Sequence, residues 1–211
     1  MAPLAVQSTI PERPEVMPQF RSVKSYWDAQ HGRHTVRILP GEYYVSTGDE
    51  IITTLLGSCV SACIRDPQTG MGGMNHFLLP ESCDDRAVVG SRARYGTYAM
   101  EHLINVLLAN GGRRERLEVK LFGGSRIMKN ATDVGERNIA FIRDYLRTEN
   151  IPVLKEDLGG THPRKVLYFA ASGRVLIKKL PLSENTQISE LESSYEQAII
   201  KKPVAGDVDL F

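Results

Sequence analysis

Residues 53–77 read T-T-L-L-G-S-C-V-S-A-C-I-R-D-P-Q-T-G-M-G-G-M-N-H-F. The stretch contains two apolar runs with a Gly-Ser break between them, so Cys59 follows a backbone turn rather than lying within a strand. A second turn is predicted at 66–70, because Asp-Pro and Gly interrupt strands. The strand after this turn doubles back and carries His76 toward Cys59. The sequence therefore predicts a β-hairpin that brings a thiol and an imidazole together.

Cys59 and His76 form a candidate nucleophile and base. A thiol reacts as its thiolate, and a neighbouring imidazole is a common way to generate one. Spacing alone favours a simpler interpretation, because most lone cysteines are small buried hydrophobes and many histidines are structural. The turn position of Cys59 adds weight to catalysis. Cys63 lies within an apolar run and Cys83 lies among acidic residues, so neither is predicted to be a nucleophile.

Several separated blocks of the chain resemble the CheD family of chemoreceptor glutamine deamidases. In chain order the blocks are L-G-S-C-V, G-G-M-N-H-F-L-L-P, F-G-G at 122–124, G-E-R-N at 135–138 and D-L-G-G-T-H-P-R-K-V at 157–166. Together they span roughly residues 36–180. Such a series in the right order is far more specific than any single block.

The resemblance implies a catalytic triad and a substrate. Cys59 would be the nucleophile, His76 the base, and Thr53 the hydroxyl that orients the imidazole. Thr54 lies beside Thr53, and the strand register decides which of the two faces His76, since neighbouring strand residues point to opposite faces. The implied reaction is hydrolysis of receptor glutamines to glutamate through a cysteine thioester, with glutamyl methyl esters as a second substrate class. In some relatives a CheC-type phosphatase binds the deamidase.

Four further residues are candidates for substrate binding. Backbone N–H groups near Ser58 and Cys59 are placed to hold a developing oxyanion. Gly124, Ser125 and Gly160 lie in glycine-rich blocks that follow predicted strands, where glycine permits close backbone approach. Simple turn formation explains these blocks equally well. Neither block has the residues of a phosphate-binding loop, and no metal or other cofactor is predicted.

Composition agrees with an enzyme that recognises its partner by local shape. The chain has 211 residues, with 26 Lys and Arg against 25 Asp and Glu, which gives no general reason to expect nucleic acid or membrane binding. The N-terminal residues lack the features of a secretion signal, and no apolar run approaches the roughly 20 residues of a membrane span. A cytoplasmic location, with Cys59 kept reduced, is expected.

The chain divides into three predicted parts: a flexible leader at 1–35, a catalytic domain at 36–182 and a tail at 183–211. Helices are predicted at 91–109 and 135–148. Strands are predicted at 36–39, 43–46, 50–56, 59–64, 71–79, 117–122, 153–156, 165–169 and 173–178. The mixture predicts an α+β sandwich. The family resemblance implies stacked mixed β-sheets with outer helices, similar to the cytotoxic necrotizing factor class of deamidating toxins.

The tail has a helical pattern of its own. Apolar residues recur at helical spacing from Ile188 to Ile199, and Ser189 with Glu192 matches a capping box, so a helix is predicted at 189–201. Its apolar stripe is expected to pack on the catalytic domain.

Two alternatives to the deamidase remain open from the sequence. The domain could be a non-catalytic chemotaxis adaptor that binds receptors or a CheC-type phosphatase and merely retains the pocket. It could also be an unrelated cysteine hydrolase, such as a small peptidase or thioesterase.

Overall fold

The computed structural model describes residues 10–79, 88–127 and 134–201. Within these ranges the chain forms ten strands and three α-helices. The strands are β1 (Ser25–Asp28), β2 (Arg33–Arg37), β3 (Tyr43–Ser46), β4 (Ile51–Leu56), β5 (Val60–Asp66), β6 (Met71–Asn75), β7 (Glu118–Gly123), β8 (Val153–Leu158), β9 (Arg164–Phe169) and β10 (Arg174–Lys179). The helices are α1 (Val88–Ala109), α2 (Val134–Thr148) and α3 (Asn185–Lys201).

The strands form two mixed sheets of five strands each. The first has the order β1-β2-β4-β9-β10 and the second the order β3-β6-β5-β7-β8. Each sheet contains one parallel pair, β2 with β4 and β7 with β8, and its other pairs are antiparallel. One apolar core includes residues of both sheets and of α1 and α2. The expected α+β sandwich is confirmed.

Strand β5 lies at the centre of the second sheet and is almost fully buried. Six of its seven residues are buried, whereas β10 at the edge of the first sheet is largely open to solvent. Helix α1 packs on β5 and β6. Gly73 permits that approach, because a Cβ atom there would lie 2.5 Å from Cδ1 of Leu103 on α1. A strand covered in this way is largely apolar, as β5 is over residues 60–64.

The predicted hairpin is confirmed. β5 and β6 pair antiparallel, with Cys63 opposite Met74. The pairing continues past β6 in a bridge between Val60 and Phe77, whose two N–H···O bonds are both 3.0 Å long. His76 directly precedes Phe77, and Cys59 directly precedes Val60. Both residues therefore lie next to this bridge.

The expectation of a flexible leader at 1–35 is wrong for the residues that the structure describes. β1 is an edge strand of the first sheet, and Met17 and Phe20 are buried in the core. Arg13 donates to the buried carboxylate of Glu50 over 2.9 Å and to the Tyr44 hydroxyl over 3.0 Å. The sequence missed this because β1 is only four residues long and buries none of them fully.

The predicted helices are present, and α1 begins three residues earlier than expected. The ring of His102 on α1 packs against that of Tyr98, with the ring centres 3.9 Å apart. Among the described residues, no helix has both the length and the apolar character needed to cross a membrane.

We expect Arg13→Ala to lower the free energy of unfolding by about 1–3 kcal/mol, because it leaves the buried Glu50 carboxylate without its cationic partner. Urea unfolding followed by circular dichroism measures the change. Arg21→Ala, at an exposed position in the same segment, is the control. Equal stability of Arg13→Ala and the unaltered protein would contradict the structural role given to this segment.

Candidate active site

The turn between β4 and β5 consists of Gly57, Ser58 and Cys59. The carbonyl group of each of these residues accepts a hydrogen bond from another segment of the chain. Ser125 N–H donates to the Gly57 carbonyl and Gly124 N–H to the Cys59 carbonyl, both over 2.7 Å. The Asn138 side-chain amide donates to the Ser58 carbonyl over 2.8 Å. Three separate donors therefore fix the backbone of the nucleophile turn.

The glycines after β7 allow this close approach. Gly123 has φ of 108°, and a Cβ atom there would lie 2.2 Å from the Cys59 carbonyl oxygen. The F-G-G block is therefore required behind the turn. Gly124 and Ser125 were predicted to bind substrate, but their described contacts hold the turn. Gly160, the third glycine-block candidate, is exposed, and its carbonyl accepts from Arg126 N–H over 2.8 Å.

Asn138 and Arg164 support the turn, although sequence analysis did not single them out. Asn138 is fully buried and also accepts from Leu79 N–H over 2.9 Å, so it joins the turn to the segment that follows His76. Arg164 is 3% exposed, donates to Asp157 over 2.8 Å, and also donates to the Ser125 hydroxyl. Both lie within blocks that carry the family resemblance. Their positions in G-E-R-N and D-L-G-G-T-H-P-R were the sequence signal that could have identified them.

His76 is buried, and its ring is oriented by Thr54. The Thr54 hydroxyl lies 2.7 Å from His76 Nδ1 and donates its proton to the Ile38 carbonyl over 2.8 Å. Because a hydroxyl has one proton to donate, Nδ1 must be the protonated nitrogen of a neutral ring. The lone pair is then on Nε2, which is buried and has no hydrogen-bond partner among the described residues. This is the tautomer that a general base requires.

The assignment of Thr53 to the imidazole is wrong on geometry. The Thr53 hydroxyl donates to the Val166 carbonyl over 2.8 Å, across the pairing of β4 with β9. Adjacent residues of β4 point to opposite faces, so only one threonine can face His76. That residue is Thr54.

The thiol and imidazole are brought together as the hairpin predicted. Cys59 Sγ, a ring nitrogen of His76 and a carboxylate oxygen of Glu192 lie within 4.8 Å of one another, and all three residues are buried. Burial, followed by the nearby carboxylate of Glu192, raises the pKa of the Cys59 thiol well above its usual value. Burial lowers the pKa of His76 to about 3. In this conformation the pair is therefore uncharged.

Cys63 is a weaker candidate for the nucleophile than Cys59. Cys63 lies within β5 opposite Met74, and its thiol is not part of the cluster that Cys59 forms with His76 and Glu192. Cys83 lies outside the described residues.

Glu192 on α3 is the unexpected member of the site. Its Oε1 accepts from Gly57 N–H over 2.9 Å and from Cys59 N–H over 3.1 Å. Its Oε2 accepts from Ser58 N–H over 2.9 Å and from the Ser58 hydroxyl over 2.5 Å. The three N–H groups of the turn thus converge on one carboxylate, which is 4% exposed.

The predicted tail helix is present but begins at Asn185, so the capping-box assignment is wrong. Ser189 lies inside the helix, and the Glu192 carboxylate binds the distant turn instead of the helix start. Glu192 thus fits a local capping-box pattern, but its hydrogen-bond partners lie more than 130 residues earlier in the chain.

Cys59, His76 and Glu192 also have the spacing of a metal-ligand set. Each Glu192 oxygen, however, already accepts two hydrogen bonds from the nucleophile turn. These bonds use the lone pairs that a cation would need. We therefore interpret the cluster as a hydrogen-bonded carboxylate beside a thiol and an imidazole.

The fold and site define a class: an α+β sandwich with a thiol and a neutral imidazole beside convergent backbone N–H donors. The chain matches a family model described as CheD chemotactic sensory transduction over residues 78–179. It is 50% identical over 203 residues to a probable chemoreceptor glutamine deamidase CheD of Halorhodospira halophila, covering 94% of each chain. A protein of that name from Herminiimonas arsenicoxydans is 52% identical, over 88% of this chain and 93% of the relative.

A third relative with the same name, from Saccharophagus degradans, is 46% identical over 92% of this chain and 93% of its own. Identity at this level over nearly the whole length shows common descent. The chain belongs to the CheD family.

We expect His76 to remain neutral, with its proton on Nδ1, between pH 5 and 8, because its pKa is lowered to about 3. Long-range ¹H–¹⁵N spectra of histidine-labelled protein report both properties, and His76→Gln assigns the signal. Unfolded chains bind this proton near pH 6.5, so the associated stability is present above that pH and is lost progressively as the pH falls toward 3. A titration midpoint for His76 between pH 5 and 8 would contradict the burial described.

Proposed function

We propose that this chain is a protein-glutamine deamidase acting on the cytoplasmic domains of chemoreceptors. The observation that carries the proposal is the set of groups around one point: the Cys59 thiol, the His76 imidazole and the three N–H groups of the nucleophile turn. The relatives, which are named as chemoreceptor glutamine deamidases, supply the substrate class. A non-catalytic adaptor does not require a nucleophile, a base and an anion-binding turn in one place, so we favour the enzyme.

The first half-reaction forms a thioester. His76 Nε2 takes the proton of Cys59, and the sulfur attacks the side-chain carboxamide carbon of a substrate glutamine. The carbonyl oxygen becomes an oxyanion, which the N–H groups of Gly57, Ser58 and Cys59 stabilise. The C–N bond then breaks, and His76 returns the proton to the departing ammonia.

The second half-reaction releases glutamate. His76 takes a proton from water, which attacks the thioester carbon through a second oxyanion in the same position. The C–S bond breaks, and the sulfur regains its proton. A glutamyl methyl ester would follow the same steps with methanol as the leaving group, so we include it as a second substrate class.

Thr54 is a positioning residue in this mechanism. Its hydroxyl accepts from Nδ1 and donates to the Ile38 carbonyl, so it holds the ring with Nε2 unprotonated. A hydroxyl supports the imidazolium less strongly than a carboxylate would. The backbone N–H groups therefore supply most of the electrostatic stabilisation in the proposed mechanism.

The proposed location is the cytoplasm, where the receptor domains are reached and Cys59 stays reduced. A CheC-type phosphatase is proposed as a further partner, on the strength of the family resemblance. The nearly balanced charge of the chain supports recognition by shape, without nucleic acid.

We expect Cys59→Ala to abolish deamidation of a chemoreceptor cytoplasmic fragment while leaving the thermal unfolding midpoint unchanged within a few degrees. Mass spectrometry measures the reaction, since each deamidation adds about one dalton. Cys63→Ala is the matched control and should retain substantial activity, because that thiol lies outside the cluster with His76 and Glu192. Turnover by Cys59→Ala near that of the unaltered protein would exclude the proposed nucleophile.

We expect Thr54→Val to lower kcat about tenfold or more, equivalent to ~1.4 kcal/mol or more in the activation barrier, because the imidazole loses its orienting partner. Thr53→Val changes the same residue type on the opposite face of β4 and should have a smaller effect on kcat. The test compares kcat of the two variants, and KM and folding are measured for each as controls. A larger loss from Thr53→Val than from Thr54→Val would contradict the assignment.

A further inference from the structure

The carboxylate of Glu192 makes the contacts that a reaction product would make. Deamidation leaves a glutamate side chain whose carboxylate lies beside the cysteine and against the donors that held the oxyanion. Glu192 is a glutamate, its carboxylate lies within 4.8 Å of Cys59 Sγ, and all three N–H groups of the turn donate to it. A negatively charged acceptor in this position shows that the donors converge on one small anion.

The surface beneath α3 is shaped for the helix. Ile188, one turn before Glu192, is 3% exposed and lies over Gly57, where a Cβ atom would be 3.0 Å from its Cγ2. Tyr195, one turn after, covers Gly41, where a Cβ atom would be 2.0 Å from the Tyr195 hydroxyl. The Asn185 side chain donates to the Ile127 carbonyl over 3.1 Å. Helix α3 therefore contacts the rest of the domain from Asn185 to Tyr195.

Docked in this way, α3 closes the site. Cys59 is fully buried and His76 is 1% exposed, although the proposed reaction requires both to reach a side chain of another protein. A receptor glutamine can contact the turn only where Glu192 now lies. Productive binding therefore requires α3 to move away.

We propose that α3 is a tethered product mimic: Glu192 occupies the subsite for the substrate glutamine side chain, and α3 lies where a helical substrate segment binds. This inference rests on the proposed deamidase function. It implies that preferred glutamines lie on helices with an apolar residue four positions before them, as Ile188 precedes Glu192. A tethered occupant has an effective concentration on the order of millimolar, so α3 competes with receptor segments and limits basal activity.

The decisive variant is Glu192→Gln, which converts the product mimic into a substrate. Cys59 sulfur would bond to the carboxamide carbon of the introduced side chain, the C–N bond would break with release of ammonia, and water would then cleave the C–S bond. The net reaction adds one water and releases one ammonia. Residue 192 becomes glutamate again.

Mass spectrometry of the purified full-length variant tests this directly. Trypsin releases residues 180–201 as one peptide, and fragmentation locates the gain of about one dalton. We expect conversion at residue 192, none when Cys59→Ala is added, and none at Gln187 or Gln197, which lie on exposed positions of α3. Glu190→Gln, also exposed on this helix, is the matched control and should keep its glutamine.

A second experiment tests whether Glu192 occupies the site in the unaltered protein. Iodoacetamide alkylation of Cys59 and deamidation of a receptor fragment should both rise about tenfold or more in Glu192→Ala, because the fraction of open sites increases. Glu190→Ala should match the unaltered protein in both assays. If Glu192 were instead a catalytic group, Glu192→Ala would lower receptor deamidation, and that result would overturn the proposal.

The outcomes separate this inference from the function on which it rests. Persistence of the introduced glutamine in a Glu192→Gln protein that deamidates the receptor fragment would overturn the product mimic and leave the deamidase in place. If neither the glutamine introduced at residue 192 nor the glutamines of the receptor fragment are deamidated, the deamidase function is rejected. The alkylation rate of Cys59 would still decide whether α3 closes the site. Equal alkylation rates in the unaltered protein and in Glu192→Ala would refute closure.

Discussion

The backbone of the turn at Gly57, Ser58 and Cys59 is the constraint on which the site depends. Its carbonyl groups are bonded to Ser125, Asn138 and Gly124 on one side, and its N–H groups face a single acceptor on the other. The carbonyl bonds hold the turn in place, because a short turn with unbonded buried carbonyls would relax. The glycines behind the turn permit the contact, and the two buried residues Asn138 and Arg164 fix the segments that make it.

The parts of the site that are close in sequence could be predicted. Gly57-Ser58 and the turn after Asp66 mark the ends of β5, so the return of His76 to Cys59 follows from strand pairing alone. The second apolar run predicted the strand that became β5, and α1 covers part of it. β1 was missed because a short, half-buried edge strand lacks a clear alternating pattern.

Contacts between distant segments could not be predicted. Whether Thr53 or Thr54 faces His76 depends on the register of β4 against β9, which no local pattern records. Asn138 lies in a block recognised by resemblance, yet its contact with Ser58 depends on the packing of α2. Glu192 matched a capping box, but its carboxylate is used by a turn that precedes it by more than 130 residues. The site therefore depends on the final packing of α3, as well as on the blocks that suggested it.

The central claim is that the N–H groups of the nucleophile turn form one anion-binding site, now filled by α3. Amide hydrogen exchange followed by NMR tests it most directly, in the unaltered protein and in Glu192→Ala. We expect the amides of Gly57, Ser58 and Cys59 to exchange at least about tenfold faster without the carboxylate, while those of Gly124 and Ser125 stay protected. Unchanged protection at residues 57–59 would contradict the claim.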